Sequence, residues 1–129
     1  TQLVAFYVQA HKPSLALETI HRVRPFVVSS GGRSTLYQVE AQLHMAEQRY
    51  ARALSAYQTA SRIEPTRADL HYRIAQVYEA MQRYQLSLES MRVGRSLDSP
   101  QGAAAQEIVV KRLEQGRSAQ LQQAVDRGN

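Results

Sequence analysis

The side chains in this sequence that could do chemistry are few. They are histidines at 11, 21, 44 and 71, the acid–imidazole pair Glu40 and His44, and the glycine-rich run Gly31-Gly32-Arg33-Ser34. Four residues apart, Glu40 and His44 share a helix face and can pair. Acid–base catalysis would also need a nucleophile beside them, and the sequence places none there. A structural pair is expected. The glycine run lacks both a preceding strand and the lysine of a phosphate loop, so it reads as a connector. His11 and His21 come with no HExxH element and no carboxylate-rich loop, and cysteine is absent. No metal, no cofactor and no thiol chemistry are expected, and the chain does not read as an enzyme.

The elements that hold these residues fit one domain of 129 residues, 43% of them hydrophobic. The longest apolar run, Leu3 to Val8, is far short of a membrane span, and a soluble protein of cytoplasm or bacterial periplasm is expected. Sixteen basic residues, fourteen of them arginine, stand against eleven acidic ones, a net charge of +5 that keeps an anionic partner in view. The chain opens on Thr1 without an initiator methionine, which predicts an excised piece of a longer protein.

A 34-residue period organises the sequence. Aligning 36–65 with 70–99 gives eight identities: Leu36/Leu70, Ala41/Ala75, Gln42/Gln76, Ala46/Ala80, Gln48/Gln82, Arg49/Arg83, Tyr50/Tyr84 and Leu54/Leu88. Apolar spacing within each unit is helical, as in Leu70, Ile74, Val77, Tyr78 and Met81, and strand-like alternation is missing. Helix pairs are expected near 35–47 and 50–63, then 69–81 and 84–97. Thr35 with Gln38 reads as a capping-box start, and Ser99-Pro100 opens a further segment to about 115. Gly116 is expected to interrupt that segment before a short helix over 119–125. Lys12, Arg49 and Arg83 fall in the turns inside successive pairs and predict a basic edge, either solubilising or attractive to an acidic partner.

These units resemble the tetratricopeptide repeat. Tyr37 stands at the family's tryptophan position, Ala41 at its small-residue position, and Ala53, Tyr57, Ala60 and Pro65 follow its second-helix pattern. His71, Ile74, Ala75, Tyr78, Ser87, Met91 and Gly94 do the same in the next unit. Glu40 replaces the family's leucine and His44 its tyrosine; His44 and His71 occupy aromatic core places, which implies packed neutral imidazoles. The likeness implies an all-α fold, a right-handed superhelical array of antiparallel helix pairs (an α-solenoid). Its parts are a partial degenerate repeat over 1–25, a loop over 26–33 about three residues longer than the period allows, repeats over 34–67 and 68–100, and a capping helix with a polar tail over 101–129. Residues 1–129 form a single domain in this reading.

The resemblance also implies a concave groove lined by the first helices, holding a partner peptide or helix. Opposite the core stripe, that assigns the groove to Gln38, Gln42 and Met45, then Tyr72, Arg73, Gln76 and Glu79. The implied function is a non-enzymatic protein-interaction scaffold, a piece of a longer repeat protein. Its arginine-, alanine- and glutamine-rich composition suggests a bacterial source, and the resemblance then implies secretion, pilus or exopolysaccharide assembly. Nucleic-acid binding by the basic surface is the disfavoured alternative. Exposed apolar surface around Leu3, Phe6 and Tyr7 is expected to be covered by an upstream repeat or by self-association.

Overall fold

The computed structural model describes residues 2–128. Among them are eight α-helices and no strand: α1 (Gln2–Gln9), α2 (Pro13–Val23), α3 (Ser30–Ala46), α4 (Tyr50–Ile63), α5 (Ala68–Ala80), α6 (Tyr84–Leu97), α7 (Pro100–Ala105) and α8 (Glu107–Gly128). A 3-10 turn, Arg24–Phe26, follows α2. Two compact units contain them, Thr1–Pro65 and Thr66–Asn129. Asn129, the end of the expected polar tail, lies outside the described residues.

Three helix hairpins, α1–α2, α3–α4 and α5–α6, turn in the same way. His11, Gln48 and Gln82 each sit in the left-handed region, at φ 56°, 59° and 59°. At each turn the next residue's N–H reaches five positions back: Lys12 to Tyr7, Arg49 to His44 and Arg83 to Tyr78. The left-handed residues themselves donate to Val8, Met45 and Glu79. This is the Schellman closure of a helix C-terminus, built here without glycine. Lys12, Arg49 and Arg83 then start the following helix, their carbonyls accepting from Ala16, Ala53 and Ser87.

Those three acceptor-bonded positions are small and fully buried. A small side chain there lets paired helices approach closely, and in α5–α6 the Ser87 hydroxyl donates to the Ala75 carbonyl at 2.7 Å. The first unit closes around Val4, Ala16, Ile20, Leu36 and Leu43, with Tyr7, Val23 and Val39 packed on them. Burying a side chain such as Ile20 or Leu36 contributes about 1.5–3 kcal/mol. The second unit closes around Ala75, Met91 and Leu113, flanked by Tyr72, Tyr84 and Val109.

Three expectations about element limits change. The helix predicted from Thr35 begins at Ser30, so Gly31-Gly32-Arg33-Ser34 is its first turn rather than a connector. Ser29 caps it, accepting from the Gly32 N–H at 3.1 Å, while Thr35 is inside the helix and donates back to the Gly31 carbonyl. The 26–33 loop is correspondingly short, and the extra residues go into the 3-10 turn and the longer α3. After Pro100, where Ser99 caps α7 as expected, the chain breaks at Gln106 and then continues unbroken through Gly116.

Candidate functional site

In the first unit, α1 and α3 bound a groove made of two adjoining hollows, of about 520 and 410 Å³. Val8, Val39 and Gln42 line both. The floor of the larger is apolar, with Val4 and Leu36 beneath, and the glycines at the start of α3 leave one end without side chains. Val8 and Gln42 are exposed, so the groove is open to solvent. Of the residues assigned from the sequence, Gln42 stands on this groove. Gln38, half-buried one turn earlier, donates to the Ser34 hydroxyl at 3.4 Å, and Met45 is half-buried near the end of α3.

The equivalent residues of α5 lie in the second unit and two of them are already engaged. Tyr72 donates its hydroxyl to Asp98 at 2.7 Å and packs its ring against Gly94. Burial and that hydrogen bond push its phenol up to about 12. Glu79 accepts both arms of the Arg112 guanidinium from α8, at 2.7 and 2.8 Å. Arg73 and Gln76 are exposed. Lys12, Arg49 and Arg83 are exposed at their turns, and Lys12 also borders the smaller hollow.

On the other side of α3 from the groove, as the 100° step of the helix requires, lies a polar cleft of about 380 Å³ bordered by His21, Arg24, Tyr37, Glu40, His44 and Arg52. Glu40 is its centre. It accepts from Arg24 at 2.6 Å, with His21 at 3.7 Å and His44 at 3.9 Å from its other oxygen. The expected Glu40–His44 pair is therefore present, inside a wider cluster. The Arg24 guanidinium carbon lies 4.2 Å from the centroid of the Tyr37 ring. Burial lowers the His44 pKa from its ordinary value against the opposing pull of Glu40, with Arg49, Arg52 and His21 adding to the lowering.

Sequence reading missed Val8 and Val39 as groove residues, having followed the polar side of α3. It also missed Arg24 and Arg52. Its one available signal was Glu40, a charge at a position where the resemblance calls for leucine and one that therefore needs a cation nearby.

No curated protein matches the chain. Residues 41–82, from the middle of α3 to the second left-handed turn of the 34-residue spacing, match the TPR repeat family. From the second half of α3 through α4 and α5 to the turn at Gln82, the chain is similar to the tetratricopeptide repeat.

Proposed function

We propose that the α1–α3 groove holds a segment of a partner protein, making the chain a binding module within a larger scaffold. Repeats of this family mediate protein–protein interactions and are typically non-catalytic. The observation that carries the groove is its composition. Val4, Val8, Leu36 and Val39 form an apolar floor, and the Gln42 amide on it can pair with a peptide backbone. Gln38 and Met45 remain as flanking contacts on α3; on α5, Arg73 and Gln76 are exposed, and binding at Tyr72 or Glu79 would have to compete with Asp98 and Arg112. Service in a bacterial secretion, pilus or exopolysaccharide assembly is the finer form of the same proposal, supported by a bacterial-looking composition and by what bacterial repeat proteins of this kind do.

Among the described residues, arginines at five positions face carboxylates: Arg22 with Glu18, Arg24 with Glu40, Arg67 with Asp69, Arg95 with Glu107 and Arg112 with Glu79. That pairing weakens the nucleic-acid alternative. Leu3 and Phe6 are 51% and 60% exposed, whereas Tyr7, expected on the same exposed surface, is half-buried against the first unit's core.

A displayed peptide library selected on the protein tests the groove. Selected peptides should lose affinity for Val8→Lys, which alters an exposed wall, and keep it for Arg127→Glu at the exposed end of α8. Equal binding to wild type and Val8→Lys removes the groove from consideration.

A further inference from the structure

The Glu40 cleft holds more hydrogen-bond donors than acceptors. Two guanidiniums, Arg24 and Arg52, and two imidazoles, His21 and His44, border it, with Ser55 and Thr59 on its α4 wall. Against them stands one carboxylate, Glu40, already engaged by Arg24 at 2.6 Å. Arg52 has no carboxylate partner among the described residues. Thr59 spends its hydroxyl on the Ser55 carbonyl at 2.9 Å.

Arg24 Nε–H is a buried donor without an acceptor among the described residues, and the buried His44 Nδ1 has no hydrogen-bond partner among them either. The His44 side chain is only 9% exposed. A buried donor without an acceptor is costly and uncommon, and a polar cleft that holds one beside an unpaired guanidinium is short of anionic oxygen.

We propose that this cleft binds a phosphate group, free or carried as a monoester, between Arg52 and Ser55 of α4 and Arg24 and His21 of the α2 end. The donors come from four elements around one cleft, α2, the 3-10 turn, α3 and α4, and a tetrahedral anion presenting three oxygens can meet more of them than a planar carboxylate presenting two. Arginine forks match such oxygens in pairs, and the open side of the cleft leaves room for an ester substituent. Glu40 has a positioning role. By holding Arg24 against Tyr37 it fixes one guanidinium in place before the ligand arrives. The site is independent of the peptide groove, because it lies across α3 from it.

The His21 and His44 ring resonances report on the cleft directly. At low ionic strength and neutral pH, titration with inorganic phosphate should shift both saturably. Arg52→Gln, a change at an exposed side chain, should weaken binding about tenfold, while Arg73→Gln leaves it unchanged. A parallel titration with O-phosphoserine separates the sources: tighter binding than phosphate assigns the site to a monoester, weaker binding to the free anion. Absence of a saturable shift, equal binding by Arg52→Gln, or acetate binding as well as phosphate overturns the proposal.

Discussion

The edge of the Tyr84 ring rests on Gly116: a Cβ placed on that glycine would stand 2.6 Å from Tyr84 Cε1. The glycine that reads as a helix breaker is instead where α8 admits an aromatic ring from α6. Within the second unit the arrangement recurs at Gly94, where a Cβ would meet the Tyr72 ring at the same distance.

Gly116→Ala should therefore destabilise the protein by about 1–2 kcal/mol, because overpacking outweighs the gain in helix propensity. Removing the ring reverses the sign. In a Tyr84→Ala background the same substitution should stabilise by about 0.5–1 kcal/mol. A denaturation cycle over the four proteins checks this, and additive effects would mean that the ring does not constrain the glycine.

Glu40→Leu restores the residue that the repeat pattern calls for, yet it should cost about 2–3 kcal/mol by leaving Arg24 partly buried without its carboxylate. Replacing both, as Arg24→Met with Glu40→Leu, should recover most of that loss. Urea midpoints of the single and double variants measure it; a double variant no better than Glu40→Leu would show that the ion pair is not what the site depends on.

His44 gives the stability a pH dependence whose sign follows from its burial. The unfolded chain takes up the proton near the ordinary histidine value of about 6.5. The folded protein does so only at lower pH, because burial, foremost, disfavours the imidazolium. Between those two values the unfolded state binds more protons, so stability falls as pH drops below the ordinary value and levels off beneath the folded one. His44→Tyr, the residue aligned with it at Tyr78, should lack this component. Parallel curves for the two proteins between pH 5 and 8 would count against it.

Gln82 holds φ at 59°, a conformation that disfavours side chains by about 1–2 kcal/mol. Gln82→Gly should stabilise by about 0.5–1 kcal/mol after the added freedom of the unfolded chain is subtracted. Gln82→Val should destabilise by more than 1 kcal/mol. The Gln120 amide donates to the Gln82 carbonyl at 2.8 Å, so neither change removes that bond. Thermal melts of both variants test the pair of signs.

The helix pairs were legible in the sequence, as were the turns at Gln48-Arg49 and Gln82-Arg83 and the Ser99 cap. Each depends on residues within about a turn of one another, and periodicity and capping report such neighbours. The groove was half legible. Gln42 followed from the helix face, but Val8 came from α1, whose distance from α3 no local pattern encodes.

What only the tertiary structure decided were matters of approach between distant residues. Whether Gly116 breaks a helix depends on Tyr84, and Gly31 and Gly32 belong to a helix whose Leu36 packs against Val4 and Ile20 of α1 and α2. Glu40 became the centre of a cluster because the 3-10 turn delivers Arg24 from sixteen residues away. The sequence carries local propensity and repeat spacing. Steric closeness and charge pairing between separate elements arise only once the hairpins pack, and they determine which glycines are helical and which arginines are already paired.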